Sequence, residues 1–91
     1  MNKTQSLKNP GYHLREIPKG IVGESSKILE EVLELQDAET QHADIMALVE
    51  LSDLVGAIEH YLEHHHAGVT LDDLITMAHI TRRAFDNGRR S

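Results

Sequence analysis

Apolar residues recur at helical spacing along most of the chain. Ile28, Val32 and Leu35 form a stripe at i, i+4, i+7 positions, which predicts a first helix over residues 24–40. A longer stripe within residues 45–62 follows the same three-and-four rhythm for five turns and predicts a second helix. The chain has two Tyr, one Phe and no Trp, so we expect Leu, Ile, Val and Met to fill the core.

A third helix is predicted by its end signals. Thr70-x-x-Asp73 has the form of a capping box, in which two side chains bond each other's backbone N–H groups. Gly88 stands where a left-handed residue commonly ends a helix, so this helix is predicted to run to Asn87. Gly and Pro punctuate residues 11–20, which predicts an ordered loop before the first helix. The expected fold class is therefore all-α, a compact bundle of three main helices with an N-terminal loop.

The chain of 91 residues is the size of one domain, so we expect residues 1–91 to form a single helical domain with a flexible or extended arm at 1–10. A chain this short hides only about 60% of its unfolded surface, which favours a closed, symmetric oligomer. Gly56 lies in the middle of the second predicted helix. Either it permits another helix to approach closely, or it is simply tolerated at a cost of about 1 kcal/mol relative to Ala.

Charge is divided unevenly along the sequence. All nine Lys and Arg residues lie in 3–27 or 82–90, while 28–73 carries twelve of the fifteen acidic residues. An acidic middle repels duplex nucleic acid, which is bound by neutralising many phosphates at once, whereas a small anion need meet only a basic end. The longest unbroken apolar stretch, Ile45–Val49, is too short to cross a membrane, and we expect a cytosolic protein. The absence of Cys excludes disulfides and thiolate metal sites.

Two acidic motifs lie on the first two predicted helices. Glu30-Glu31-x-x-Glu34 and Glu50-x-x-Asp53 each place carboxylates on one side of a helix. Converging carboxylates repel unless a cation lies between them, and Mg²⁺ prefers oxygen ligands. Over residues 30–53 the chain resembles the MazG-like nucleoside triphosphate pyrophosphohydrolases, whose motifs are EExxE and ExxD. That resemblance implies a Mg²⁺-dependent enzyme with four metal ligands: Glu31, Glu34, Glu50 and Asp53.

The same acids have a non-catalytic interpretation. Charge runs on helices are usually solvated faces, and the two helices can be amphipathic elements with acidic borders. Lys27 and Glu31 then form an i, i+4 ion pair. On this interpretation the chain is an acidic helical interaction module that binds no small ligand.

A basic end precedes the first helix, with GYHLR at residues 11–15 and GESSK at residues 23–27. A nucleotide requires a flat face for its base, and a cation with backbone N–H groups for its phosphate. Tyr12, Lys27 and the helix N-terminus provide these, with Ser26 as a neighbouring polar group. Alternatively, Tyr12 fills the core and Lys27 pairs with an acidic residue of its own helix.

The basic end carries a second resemblance, which covers nearly the whole chain. The chain resembles the phage anti-CBASS sponges, which sequester the cyclic oligonucleotide signals of bacterial defence. The similarity lies in its length, in its GYHL loop and in a lysine of the first helix. The resemblance implies that Tyr12 stacks on a base, that Lys27 binds a phosphate and that nothing is cleaved. It also implies a helical hexamer in the cytoplasm of the infected bacterium. Cyclic dinucleotides would bind between paired protomers, and cyclic trinucleotides would bind near the three-fold axis, at residues that the sequence does not locate.

A histidine-rich stretch closes the second predicted helix. His60 and His64 share one side at i, i+4 spacing, with Glu63, His65 and His66 beside them. Three consecutive histidines point in different directions around a helix, and no third ligand for zinc is evident. We therefore predict a polar helix C-terminus, where imidazolium suits the helix dipole, and no metal site.

Overall fold

The computed structural model describes residues 13–86, and these residues form three α-helices. The helices are α1 at Ser25–Thr40, α2 at Asp44–His65 and α3 at Leu71–Asp86. The predicted all-α class and the three predicted helices are confirmed, and α1 begins within one residue of the expected start. None of the described helices is both long enough and apolar enough to cross a membrane.

Three features predicted from the sequence lie outside the described residues. They are the arm at 1–10, the candidate base-stacking Tyr12 and the helix-ending Gly88. The statements made above about these features therefore stay predictions.

The end of α1 is built by a left-handed residue that is not glycine. His42 has a φ of 54°. Its N–H donates to Glu39 O (3.0 Å), and Ala43 N–H donates to Ala38 O (3.0 Å). These two bonds form a Schellman motif, in which a left-handed residue lets the chain satisfy the last carbonyls of a helix. The chain turns here within three residues and enters α2.

The capping box at the start of α3 is confirmed. Thr70 N–H donates to Asp73 Oδ2 (2.9 Å), and Asp73 N–H donates to Thr70 Oγ1 (3.1 Å). Gly68, with a φ of 97°, supplies the left-handed step between α2 and this box. The two reciprocal bonds satisfy N–H groups that would otherwise lack a helical partner.

α1 and α2 form a helical hairpin, and α3 has much less contact with it. The connection between α1 and α2 is short, and Glu24 at the start of α1 meets His64 at the end of α2, so the two helices are antiparallel. α3 contacts α2 slightly and does not contact α1. The hairpin is therefore the part of the described fold that can position a site.

The layer between α1 and α2 is filled largely by acidic side chains. Within residues 13–86 the buried apolar residues are Ile17, Ala38, Ala57 and Leu62, and the buried acidic residues are Glu30, Glu31, Asp37 and Glu50. Several aliphatic side chains of α2 and α3 are exposed instead, including Ile45, Leu48, Leu51, Val55, Ile75, Met77 and Ile80. The expected core of Leu, Ile, Val and Met is therefore wrong for this layer, because the acidic faces of the two helices pack on each other.

Candidate ligand and cation site between α1 and α2

Four carboxylates converge in the middle of the hairpin, and we call them the acid layer. Glu31 and Glu34 come from α1, and Glu50 and Asp53 come from α2. One carboxylate oxygen of each lies within 4.8 Å of those of the other three. The i, i+3 spacing of the two motifs predicted this convergence. Four oxygens at this spacing are suited to hold a divalent cation.

The acid layer carries unfavourable electrostatic energy. Burial, together with the carboxylates of Glu50 and Glu31, raises the pKa of Glu34 to about 8. Burial and the charge of Glu50 also raise the pKa of Asp53. Glu31 Oε1 is buried and accepts no hydrogen bond from any described residue. Glu34 therefore holds a proton at neutral pH, which lowers the negative charge of the layer.

Lys27 lies at the edge of the acid layer. Its Nζ is 3.2 Å from Glu30 Oε2 and 3.2 Å from Glu31 Oε2. Burial opposes the charged form of Lys27, but the two carboxylates outweigh burial and raise the pKa of the ammonium. The predicted ion pair of Lys27 with Glu31 is confirmed. About a quarter of the Lys27 side chain stays exposed (26%), so the ammonium is charged and still accessible to solvent.

Glu30 is not one of the four carboxylates of the acid layer, and it holds the segment before α1. Gly20 N–H donates to Glu30 Oε1 (2.7 Å). Burial raises the pKa of Glu30, but the bonds from Gly20 and Lys27 outweigh burial and lower the pKa overall. A Cβ on Gly20 would overlap the backbone of Ser26. The absence of a side chain at Gly20 therefore permits the approach that this bond requires.

His13 inserts its ring into the other end of the acid layer. Its Nδ1 lies 3.1 Å from Asp37 Oδ2, and its Nε2 lies 3.9 Å from Glu34 Oε1 and 3.8 Å from Glu50 Oε2. Asp37 also accepts bonds from Leu14 N–H (2.9 Å) and from the Gln41 side chain (3.0 Å). Burial opposes ionisation of Asp37, but these three donors outweigh burial and lower its pKa. Because an ionised carboxylate only accepts hydrogen bonds, His13 Nδ1 carries the proton.

An open cavity of about 390 Å³ lies beside Lys27. Its lining residues are Val22, Lys27, Glu31, Ser52, Asp53, Gly56, Ala57 and His60. A Cβ on Gly56 would meet no atom within 4 Å, so no described helix approaches Gly56 closely. Gly56 instead leaves space at the cavity wall. The cavity therefore combines an accessible ammonium with a polar and partly acidic lining.

The predicted ligand-binding residues fall in different places. Lys27 lines the cavity. Ser26 is exposed, and its Oγ accepts a bond from Ile21 N–H (3.0 Å), so it supports the backbone before α1. Sequence reasoning missed His13 and Asp37. A signal for Asp37 was present, because Glu30, Glu34 and Asp37 follow the i, i+4, i+7 rhythm of a helix face that is directed inward.

Comparisons with known proteins add no relative. No family model matches the chain, and neither the curated proteins nor the solved structures contain a significant match.

Proposed function

We propose that the protein is a non-enzymatic sponge that binds cyclic dinucleotides, releases them intact and so keeps bacterial CBASS effectors inactive. In this proposal Lys27 binds a phosphate and Tyr12 stacks on a base. Cyclic trinucleotides bind at separate sites of the assembled oligomer. The resemblance over nearly the whole chain motivates the proposal, and the geometry around Lys27 supports it.

The position of Lys27 suits an anionic ligand. Its ammonium borders a cavity of about 390 Å³ and is partly exposed. A second cavity, of about 400 Å³, lies where α2 meets α3, and its lining contains Glu59 and Glu63 but no basic residue. An anion is therefore better placed beside Lys27. Protonation of Glu34 at neutral pH reduces the repulsion that a phosphate meets there.

The observation that carries the proposal is that two groups of the chain itself, the Lys27 ammonium and the His13 ring, contact the acid layer. Lys27 Nζ lies 3.2 Å from Glu31, and the His13 ring lies within 3.9 Å of Glu34 and Glu50. Contacts supplied by the chain itself offset part of the repulsion among these buried acids. In this proposal the acids hold His13 and Lys27 in place, which is a positioning role and requires no activated water.

Exposed apolar side chains support assembly of several copies. Ile45, Leu48, Leu51 and Val55 lie on one face of α2 and are 78%, 66%, 43% and 41% exposed. Contiguous apolar surface of this kind usually marks an interface. We propose a hexamer built from paired protomers, in which each pair encloses one cyclic dinucleotide.

Release of intact ligand tests the proposal. The protein is incubated with a cyclic dinucleotide, freed of unbound ligand and heat-denatured, and the supernatant is analysed by liquid chromatography. We expect one intact cyclic dinucleotide per two chains, with or without EDTA. A cleaved product, or no retained ligand at all, would contradict the sponge.

The acid layer favours a second candidate, a Mg²⁺-dependent nucleoside triphosphate pyrophosphohydrolase. The four carboxylates are close enough to hold Mg²⁺, and Glu31 Oε1 lacks a donor among the described residues. Bound Mg²⁺ would neutralise substrate phosphates while water attacks the α-phosphorus and pyrophosphate leaves. Mg²⁺-dependent formation of monophosphate and pyrophosphate, abolished by Glu50→Gln, would establish this candidate in place of the sponge.

A further inference from the structure

Three metal-binding side chains meet where α1 begins and α2 ends. His64 Nε2 lies 3.3 Å from Glu24 Oε2, and His65 Nε2 lies 3.5 Å from Glu24 Oε1. One ligand atom of each residue lies within 4.8 Å of the other two. Glu24 is therefore a third side chain able to bind a metal, which the sequence did not reveal. It is distant in sequence from the histidines, and only the antiparallel hairpin brings it to them.

A tight turn places Glu24 beside the end of α2. Glu24 N–H donates to Ile21 O (2.9 Å), and Gly23 has a φ of 91°. This is the turn position at which glycine is favoured, because residues with a side chain rarely adopt that φ. A Cβ on Gly23 would also lie 3.4 Å from His64 Cβ. The φ of Gly23 thus permits the turn, and the turn brings the Glu24 carboxylate to both imidazoles.

Ring packing orients the two histidines. The His65 ring lies 4.4 Å from the Tyr61 ring, and it meets the His64 ring edge-on at 4.7 Å and 74°. These contacts direct two consecutive residues towards one carboxylate, although they start from different directions around the helix. The three ligands are consequently arranged before any ion binds.

The ligand set and its spacing suit zinc. Two imidazoles and one carboxylate with an open fourth position form a common Zn²⁺ arrangement, and bond lengths near 2.1 Å place tetrahedral ligands about 3.3–3.5 Å apart. The two imidazole–carboxylate separations are 3.3 and 3.5 Å, each to a different oxygen of Glu24. All three side chains are partly exposed, at 59% for His64, 43% for Glu24 and 34% for His65, so an ion has direct access.

We propose that Glu24, His64 and His65 bind one Zn²⁺ ion, with water as the fourth ligand. The ion links the end of α2 to the turn that leads into α1. Because Lys27 follows Glu24 by one helical turn, this link also fixes the start of the helix that carries it. The proposal does not depend on the proposed function, since none of its ligands belongs to the acid layer or lines the cavity beside Lys27.

Calorimetry with zinc sulfate tests the proposal on the full chain at neutral pH. We expect one Zn²⁺ per chain, and a dissociation constant that rises by about tenfold or more in Glu24→Gln, His64→Ala and His65→Ala, since each removes a ligand. His79→Ala is the matched control, because His79 is an exposed histidine of α3 outside the cluster. It should bind Zn²⁺ as the wild type does.

Cobalt(II) gives an independent readout of the same site. Tetrahedral Co²⁺ absorbs visible light far more strongly than octahedral Co²⁺, so the wild type should become coloured and Glu24→Gln should not. The proposal is overturned by wild-type protein that binds no stoichiometric Zn²⁺, or by three cluster variants that bind as the wild type does. Loss of binding in Glu50→Gln with retention in Glu24→Gln would overturn it too, because the ion would then lie in the acid layer.

Discussion

His13 Nδ1 donates to Asp37 Oδ2 over 3.1 Å, a contact between residues 24 positions apart in sequence. It joins the segment before α1 to the last turns of that helix. Asp37→Ala removes an ionised acceptor with three donors and should lower the free energy of unfolding by about 2–4 kcal/mol. Urea unfolding followed by circular dichroism measures the change. Glu39→Ala, at an exposed acid of the same helix, should change stability little.

Acid should unfold the protein partly through Asp37. The pKa of Asp37 is lower in the folded chain than in the unfolded chain, so its contribution is present above pH ~4 and is lost as the pH falls through the folded pKa. The Asp37→Asn variant should therefore be less stable than wild type at neutral pH, but lose less stability between neutral pH and strong acid. Parallel denaturation curves for the two proteins at every pH would contradict this.

Glu34 should have the opposite pH dependence. Its folded pKa is about 8, above the unfolded value, so the folded chain binds more protons between pH ~4 and 8 and stability falls as the pH rises through that range. Glu34→Gln removes this fall in stability, because glutamine does not ionise. We expect its melting temperature above pH 8 to exceed that of the wild type by about 4–8 °C, the effect of ~1 kcal/mol in a domain of this size. Differential scanning fluorimetry measures it, and a variant less stable than wild type there would refute it.

Two glycine substitutions should change stability in opposite directions. Gly20→Ala forces a Cβ into the backbone of Ser26 and should cost about 1–3 kcal/mol. Gly56→Ala adds a Cβ that meets nothing in the described structure, and should stabilise α2 by about 0.5–1 kcal/mol. Thermal melts of the two variants against wild type provide the measurement. Destabilisation by Gly56→Ala would mean that another copy packs closely at this position.

Loss of Tyr12 or of Lys27 should abolish sequestration. Base stacking is worth about 1–3 kcal/mol and each substitution acts twice in a paired site, so Tyr12→Ala should weaken binding by roughly tens to ten-thousands of fold. Lys27→Gln should weaken it comparably without adding a third acid beside Glu30 and Glu31. Lys19→Gln is the matched control, because Lys19 also contacts Glu30 (4.0 Å) but is 80% exposed and outside the cavity. Calorimetry with a cyclic dinucleotide measures all three, and wild-type binding by Tyr12→Ala and Lys27→Gln would mean that the site lies elsewhere.

The helices, the α3 capping box and the convergence of the acid layer could be predicted because each depends on local spacing. The end of α1 at Thr40 was predicted as well, but its cap was not, since the left-handed position is occupied by His42 and not by glycine. The contact of Glu24 with the α2 histidines was also missed. It depends on a turn and on the direction of packing of two helices, and neither is encoded within a short window of sequence.

Periodicity also left open which face of each helix is directed inward. On α1, Glu30, Glu34 and Asp37 repeat with the same rhythm as the aliphatic stripe, so both faces satisfy the pattern of an amphipathic helix. The side chains that meet the inward face decide the choice: Lys27, on α1 itself, lies 3.2 Å from Glu31, and the His13 ring lies 3.9 Å from Glu34. Only the three-dimensional arrangement shows those partners together.

The four buried acidic residues of the hairpin have a calorimetric consequence. Exposing apolar surface on unfolding raises the heat capacity, and exposing polar surface lowers it. A chain with Glu30, Glu31, Asp37 and Glu50 in its interior should therefore have a heat capacity of unfolding below the usual ~12–15 cal/mol/K per residue. Its free energy of unfolding should therefore vary little with temperature. The exposed apolar side chains of α2 and α3 should add to the heat capacity of unfolding only where association of copies buries them.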